Sequence, residues 1–216
     1  RQGIAMPMMD LTTVVDETGQ QIAMDGVTQG EIVMRGNSVM KGYYKNPEAT
    51  QKAFAGGFFH SEDIAIQHPD GMMQIADRMK DIIITAGGKN ITPSELENEL
   101  KFSPYVTDAV VIGDKRPYLT VIVMIDQENV EKYAQDNDVP FSNYASLTHS
   151  AEVQSLIQAE LDRVNKKFAR VEQIKKFWLL DTQLSAEDEE LTPTMKLKRK
   201  FIVGKFQKEH DALYAS

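Results

Sequence analysis

The chain has 216 residues, of which 42% are hydrophobic and 26% are charged, and this composition is typical of a globular protein with one or two domains. It contains no cysteine, which excludes disulfides and thiolate metal sites and fits a reducing compartment. The net charge of −8 argues against general nucleic-acid binding, and no apolar run reaches the roughly 18 residues of a membrane span.

Residues 1–79 are predicted to form a small β-rich unit. Residues 11–15 are rich in β-branched side chains, which favour strands, and residues 30–36 form a second apolar run between glycines. Proline, aspartate and glycine within residues 68–71 predict a tight turn between two more strands. The chain opens at Arg1 in strand-like sequence, and we expect this unit to be the end of a larger N-terminal domain that lies upstream.

A change of composition after Lys80 marks the start of a second unit. Thr92 and Pro93 are the residue types favoured at a helix N-cap and at the first helical position, and an acidic residue three positions after the cap completes a capping box. We therefore predict a helix that begins at Pro93 and runs to about Lys101.

The rest of the second unit is predicted to combine strands and helices, since apolar side chains recur with both periods. The predicted elements are strands at 82–84, 109–112, 119–125 and 174–180, a long amphipathic helix at 153–168, an acidic loop at 181–190 and a terminal helix at 197–214. The fold class is therefore α+β: the β-rich unit at residues 1–79 is followed by a compact α+β domain at residues 80–216, with a short sheet and flanking helices.

Four short segments carry candidate functional residues. Each has an ordinary explanation when taken alone: a turn aspartate, an exposed linker, a glycine turn before a helix, and a solvated basic helix start. Their order and spacing along the chain make them informative as a set. The segments are His60-Ser61-Glu62-Asp63, Asp77-Arg78-Met79-Lys80-Asp81, Gly87-Gly88-Lys89 and Met195-Lys196-Leu197-Lys198-Arg199.

The ordered set resembles the C-terminal end of the adenylate-forming (AMP-binding) enzymes, the superfamily of acyl-CoA synthetases, luciferases and peptide-synthetase adenylation domains. The late basic segment, which follows Thr192-Pro193-Thr194, is most similar to the Thr-Pro-Thr-Leu-Lys-x-Lys-Arg form of long-chain fatty acyl-CoA synthetases. The common His-Thr-Gly-Asp motif of the superfamily differs here, because Glu62 stands in the place of the glycine.

The resemblance implies a role for each segment. Asp63 would accept hydrogen bonds from both ribose hydroxyls of the nucleotide, and Arg78 would bind beside it with its planar fork of donors. Lys80 would be the hinge between the two domains. Lys196 would be catalytic, because a preplaced ammonium stabilises negative charge at the reacting phosphate, an effect worth about 10²–10³ in rate. Lys198, Arg199 and Lys200 are expected to be surface residues or contacts for CoA phosphates.

The resemblance also implies a two-step reaction and its small-molecule partners. ATP and a fatty acid would form an acyl-adenylate and pyrophosphate, and CoA would then displace AMP, with Gly87, Gly88 and Lys89 forming the CoA-facing loop. Mg²⁺ would accompany ATP through the missing N-terminal part, and the four histidines show no spacing for a metal site here. Because the family's phosphate-binding loop would also lie upstream, we expect this chain to be inactive alone.

Two alternatives stay open at this point. A related adenylating enzyme could load an acyl carrier protein in place of CoA, and a non-catalytic binding domain could use the same scaffold. The resemblance implies a cytoplasmic enzyme, peripheral to the membrane through its apolar substrate and without a nucleic-acid partner. The acyl chain length stays open, because the selecting pocket would lie upstream of Arg1.

Overall fold

The computed structural model describes residues 9–182, 184, 191 and 197–215, without the side chains of residues 9 and 10. The contacts between residues divide the chain into two compact units, Arg1–Ile82 and Ile83–Ser216. Each unit has a hydrophobic core of its own. Strands and helices are both present, which confirms the predicted α+β class.

The first unit is built on a four-stranded antiparallel sheet in which each strand pairs with the next along the chain. One short helix connects the second strand to the third, and Asn46 caps it by accepting a hydrogen bond from the backbone N–H of Ala49. The elements are β1 (Met9–Val15), β2 (Gln29–Gly36), α1 (Pro47–Ala53), β3 (Phe59–Gln67) and β4 (Met73–Arg78).

A small apolar cluster on one face of this sheet forms its core. Val14, Ile32 and Ala65 belong to it and are buried, as expected where alternate residues of a strand face the same side. The predicted turn at residues 68–71 is confirmed, because the backbone N–H of His68 donates to the carbonyl of Met72 at 2.8 Å. The β3–β4 hairpin is closed at this turn.

The second unit contains a three-stranded sheet with mixed pairing. The first two strands are antiparallel, whereas the third returns parallel to the middle strand. A separate two-stranded hairpin precedes this sheet. The hairpin consists of β5 (Ile83–Ile84) and β6 (Asn90–Ile91), and the sheet of β7 (Val106–Ile112), β8 (Leu119–Ile125) and β9 (Ile174–Leu179).

Six helices in the described part of this unit surround the sheet on both faces. Val121 and Val123 of β8 pack into a cluster with the first four helices, whereas Ile122 packs into a second cluster with the C-terminal helices. The middle strand is therefore buried on both sides. The helices are α2 (Pro93–Lys101), α3 (Gln127–Asp136), α4 (Tyr144–His149), α5 (Ala151–Asn165), α6 (Arg199–Lys205) and α7 (Gln207–Ala212).

The C-terminal end of the chain packs against the β7–β8 turn. The Tyr214 hydroxyl lies 2.9 Å from the Thr120 hydroxyl, and the guanidinium of Arg116 lies over the Tyr214 ring. His210 is buried and meets the same ring edge-on, with 5.2 Å between the ring centroids. Arg116 also forms an ion pair with Asp211, so aromatic, polar and ionic contacts all hold this end in place.

Two details of the predicted helices need correction. Helix α2 begins at Pro93 as predicted, but the Thr92 side chain makes no capping hydrogen bond, and the backbone N–H of Glu95 donates to the Thr92 carbonyl. The single terminal helix predicted at 197–214 is wrong. It is divided at Phe206, which leaves helical geometry with φ −107° and ψ 31° and packs its ring 5.2 Å from that of Trp178.

No helix within the described residues is both long enough and apolar enough to cross a membrane.

Candidate functional site

The predicted pair Asp63 and Arg78 lies on two adjacent strands of the first sheet. The two residues are direct partners in the β3–β4 register, and Arg78 Nε lies 2.9 Å from Asp63 Oδ1. The Asp63 side chain is 25% exposed and that of Arg78 is 59% exposed. The structure thus places an ion pair at the end of the sheet, with a large part of the guanidinium surface accessible to a ligand.

A bulge interrupts β3 at residues 61–63 and includes the aspartate. His60 pairs with Val33, but the next pair joins Ile64 to Glu31, so one residue of β2 lies opposite three residues of β3. Glu62 lies inside this bulge with φ +58°, a conformation that costs a non-glycine residue about 1–2 kcal/mol. The glutamate therefore adopts a backbone conformation that glycine reaches without strain.

Side-chain hydrogen bonds hold the bulge in this shape. One carboxylate oxygen of Glu31 accepts the backbone N–H of Glu62 at 2.9 Å, and the other lies 2.7 Å from Nδ1 of His60. The Ser61 hydroxyl accepts the backbone N–H of Asp63 at 3.1 Å. These contacts lie immediately beside the Asp63–Arg78 pair, so they form its local support.

The predicted glycine loop is the turn of the β5–β6 hairpin. The backbone N–H of Thr85 donates to the carbonyl of Lys89 at 3.1 Å, and Gly88 returns a hydrogen bond to the Thr85 carbonyl. Gly88 has φ +76°, which favours glycine, and both glycines are exposed. The Lys89 ammonium lies 3.4 Å from the carboxylate of Glu172. The turn is thus a thin backbone segment beside a partly exposed ion pair.

Of the two lysines predicted to be the hinge and the catalytic residue, the structure describes only the first, Lys80. Lys80 is exposed in a single 3₁₀ turn, Met79–Asp81, directly after the arginine of the ion pair. The boundary between the two compact units falls between Ile82 and Ile83. Lys196 lies outside the described residues.

Described residues on either side of Lys196 are bound to the second unit. Leu191 and Leu197 form an isolated antiparallel bridge with each other. The backbone N–H of Leu197 donates to a carboxylate oxygen of Asp108 at 2.8 Å, and Asp108 is buried in β7. The backbone at Leu197 is therefore anchored to the sheet.

Arg199 provides a second anchor and is partly buried, unlike the exposed surface residue that was predicted, whereas a contact with CoA stays a prediction. Its guanidinium lies 2.6 Å from Oε1 of Glu97 and also donates to the Val111 carbonyl. The same Glu97 oxygen accepts the backbone N–H of Val111 at 2.8 Å. The side chains are only 26% and 12% exposed, and charges with so little solvent need such partners.

Three acidic residues of these networks were missed at the sequence level: Glu31, Glu97 and Asp108. Each stands next to apolar residues in a short segment that is otherwise typical of a strand or an amphipathic helix. An acid among apolar residues was the available signal, because a buried carboxylate requires compensating donors. Among the described residues, no group of three or more histidine, aspartate or glutamate side chains is placed to hold a metal ion.

A match to a known protein family covers the whole second unit. Residues 80–216 match the family model of the AMP-binding enzyme C-terminal domain. The chain is 37% identical over 186 residues to the long-chain-fatty-acid–CoA ligase FadD15 of Mycobacterium tuberculosis, a match that covers 86% of this chain and 31% of that protein. It is 46% identical over 145 residues to the acetate–CoA ligase CCL3 of Humulus lupulus, covering 63% of this chain and 25% of that protein.

A solved structure supports the same assignment for the fold. The crystal structure of the adenylation domain of a carboxylate reductase from Mycobacterium chelonae aligns with a TM-score of 0.80 and 27% sequence identity. The alignment covers 100% of this chain and 33% of that chain. The chain thus spans about a third or less of the length of the relatives that it matches.

Proposed function

The chain belongs to the AMP-binding enzyme family, and on that premise we propose that it is the C-terminal portion of an ATP-dependent long-chain fatty acid–CoA ligase. The proposed reaction joins a fatty acid to AMP with release of pyrophosphate, and CoA then displaces the AMP to form the thioester. The observation that carries the proposal is the Asp63–Arg78 pair, held 2.9 Å apart on neighbouring strands.

The ion pair fits the ribose of a nucleotide. The Asp63 carboxylate offers lone pairs in one plane, which suits two adjacent hydroxyl donors. The guanidinium of Arg78 already contacts one carboxylate oxygen through Nε, and its exposed remainder can bind the ligand while its charge favours an anionic nucleotide. A preformed pair lowers the ordering cost of binding, because neither side chain has to be recruited.

Lys196 is the proposed catalytic residue of the first step. As the fatty acid carboxylate attacks the α-phosphate, negative charge increases on the phosphorus oxygens. A lysine ammonium stabilises that charge, by about 10²–10³ in rate for a single donor of this kind. We propose that it is delivered by the segment between Leu191 and Leu197, two residues that pair with each other.

The second step is proposed to use the same nucleotide site after the second unit turns about Lys80. A short exposed turn is suited to this role, since hinges are a few residues that absorb a change of torsion. Gly87, Gly88 and Lys89 would then face CoA, because the two glycines have no side chains and permit a close approach to the pantetheine arm. Mg²⁺ would enter with ATP and bind through the N-terminal part of the ligase.

The two named relatives differ in the acyl group that they activate according to their names. Similarity to FadD15 supports a long-chain fatty acid, whereas CCL3 is named for acetate. A competition assay with palmitate and acetate in the full-length ligase tests this point. We expect a higher kcat/KM for palmitate, and a preference for acetate would contradict the long-chain assignment.

An acyl carrier protein is the second candidate acceptor, because a related adenylating enzyme could load such a protein in place of CoA. We propose CoA, in line with the two named CoA ligases. Incubation of the full-length ligase and labelled fatty acid with free CoA or with a phosphopantetheinylated carrier protein separates the acceptors. Transfer to the carrier protein alone would contradict the proposal.

The decisive experiment measures pyrophosphate exchange, which reports the first step alone. In the full-length ligase, Lys196→Ala is expected to lower the exchange rate at least about 100-fold. Lys200→Ala is the matched control, since Lys200 is an exposed lysine four positions further along, and it should exchange at the wild-type rate. An unchanged rate in Lys196→Ala would instead favour a non-catalytic binding domain.

The 216-residue chain is proposed to be inactive by itself, because the phosphate-binding and acyl-binding parts would lie elsewhere in the ligase. Measurable acyl-CoA formation by the purified chain would contradict this. We also propose a cytoplasmic location with peripheral membrane contact through the apolar substrate. Cell fractionation tests the location, since a peripheral protein is released from membranes by a salt or carbonate wash.

A further inference from the structure

Glu31 occupies an unusual place for an acidic residue. It lies in the interior of β2, and its side chain is only 13% exposed. Both carboxylate oxygens are engaged, one by the backbone N–H of Glu62 and the other by Nδ1 of His60. An acid kept in such a position has a specific structural task, because burying a carboxylate is costly unless it is compensated.

That task is to replace the strand hydrogen bonds that the β3 bulge disrupts. Extra residues in a bulge are left without ladder partners, so their backbone N–H groups take other acceptors. Glu31 supplies the acceptor for Glu62, and the Ser61 hydroxyl donates to the carbonyl of Ile32 at 2.7 Å. Side chains thus take over the role of the regular β2–β3 pairing.

The carboxylate also connects the bulge to the segment that precedes β3. His60 contacts Glu31 through Nδ1, while its Nε2 lies 3.1 Å from the carbonyl oxygen of Ala55, in the turn after α1. The imidazole is held at both ends by oxygen atoms. Glu31 therefore restrains the entry of the chain into the bulge as well as the N–H inside it.

We propose that Glu31 is a positioning residue for Asp63 and acts on nucleotide binding through the bulge. The inference rests on the proposed function, in which Asp63 and Arg78 hold the ribose. Glu62 is the direct neighbour of Asp63, and the Asp63 N–H is itself bound by Ser61 within the bulge. Release of Glu62 from its strained conformation would therefore move the Asp63 carboxylate relative to Arg78.

The test is a comparison of Michaelis constants in the full-length ligase. Glu31→Ala is expected to raise the KM for ATP and the Kd for AMP about tenfold, the loss expected from one hydrogen bond to a charged acceptor. The KM values for fatty acid and CoA should stay within about twofold, because those ligands do not use the ribose pair. Glu31→Gln should recover most of the ATP affinity, since its amide oxygen can still accept the Glu62 N–H.

Two further variants separate an effect on nucleotide binding from a loss of folding. Ser61→Ala removes the hydroxyl that accepts the Asp63 N–H and donates to the Ile32 carbonyl, and it should raise the KM for ATP selectively even if Glu31→Ala does not fold. Glu17→Ala is the matched control, because Glu17 is an exposed glutamate in the turn after β1, and its KM values should equal those of the wild type.

Asp63→Ala, measured in parallel, separates this inference from the proposed function. If Asp63→Ala raises the KM for ATP while Glu31→Ala and Ser61→Ala do not, the positioning role is wrong and the nucleotide site stands. If Asp63→Ala leaves the KM for ATP unchanged, both are wrong. Equal increases for ATP, fatty acid and CoA in Glu31→Ala, or a Glu31→Gln variant no better than Glu31→Ala, would also overturn the positioning role.

Discussion

At the scale of single residues, Glu62 shows how a strand accommodates an unfavourable backbone conformation. Its φ of +58° is unusual for a residue with a side chain, and its own carboxylate makes an exposed contact with Lys52 at 3.7 Å. Exposed ion pairs of this kind contribute little to stability. The conformation is therefore maintained by the hydrogen bond that the backbone makes with Glu31.

The effect of a substitution at Glu62 on the unfolding free energy should depend more on the backbone preference of the new residue than on its charge. Glu62→Gly should change the unfolding free energy by less than about 1 kcal/mol, because relief of the strain is offset by the greater freedom of glycine in the unfolded chain. Glu62→Val should lower it by at least about 1 kcal/mol, since a β-branched residue is poorly tolerated at positive φ. Urea denaturation of both variants checks this, and a valine variant as stable as the wild type would contradict it.

The sequence allowed the candidate residues of the site to be chosen but did not reveal how they are supported. Asp63 and Arg78 could be selected because carboxylate and guanidinium chemistry suits a nucleotide, and their positions follow a known motif order. Their direct pairing depends on the register of β3 and β4. The register in turn depends on bulges, which arise from backbone hydrogen bonding and leave no periodic signal in the residue pattern.

At the scale of elements, Gly30 shows a close contact between strands. A Cβ atom at this position would lie 2.3 Å from the carbonyl oxygen of Val15, and a backbone atom cannot move aside as a flexible side chain can. Gly204 is the contrasting case, because it is exposed in α6 with open space around its missing Cβ.

The two glycines are expected to respond in opposite directions to alanine. Gly30→Ala should lower the unfolding free energy by about 1–3 kcal/mol through overpacking. Gly204→Ala should raise it by up to about 1 kcal/mol, because alanine loses less entropy than glycine on entering a helix. Thermal or urea denaturation of the two variants is the measurement, and a shift in the same direction for both would contradict the expectation.

The Arg199–Glu97 pair connects α6 to α2, and its removal should be costly. Glu97→Gln is expected to lower the unfolding free energy by up to about 3 kcal/mol, the low end of the range for breaking a buried ion pair. The more exposed pair of Lys167 with Glu99, 2.5 Å apart, is the matched control, and Lys167→Gln should cost less than about 1 kcal/mol. Equal losses of unfolding free energy in the two variants, measured by urea denaturation, would show that burial does not determine how much such an ion pair contributes to stability.

Local sequence patterns predicted some elements well and missed others for physical reasons. The start of α2 was predictable because Pro93 is favoured at the first helical position, an effect that acts within one turn. The break at Phe206 was not, because it results from the packing of a ring against Trp178, which is distant in sequence. The parallel pairing of β9 with β8 likewise depends on the path of the whole chain between them.

At the scale of the whole molecule, acid stability should depend on His210. Burial lowers its pKa below the ordinary value of 6.5, Arg116 adds to this effect, and the Asp211 carboxylate acts in the opposite direction. The folded chain therefore keeps the imidazole neutral at pH values where the unfolded chain takes up a proton. The stabilisation is fully present above pH 6.5 and decreases as the pH falls below it.

The measurement is the unfolding free energy between pH 7.5 and pH 5 for the wild type and for His210→Phe. Phenylalanine retains a ring against Tyr214 but cannot titrate, so the decrease of stability towards pH 5 should be smaller in the variant. Identical pH dependence in the two proteins would contradict the role of this histidine.

The central strand β8 has a consequence for the synthesis of the protein. Its seven residues, Leu-Thr-Val-Ile-Val-Met-Ile, are uncharged, rich in β-branched side chains and free of proline, a combination that is prone to intermolecular aggregation while it is unprotected. Its parallel partner begins only at Ile174. A ribosome must therefore complete the intervening helices before both edges of this strand are covered, and chaperone demand during expression should be concentrated in that interval.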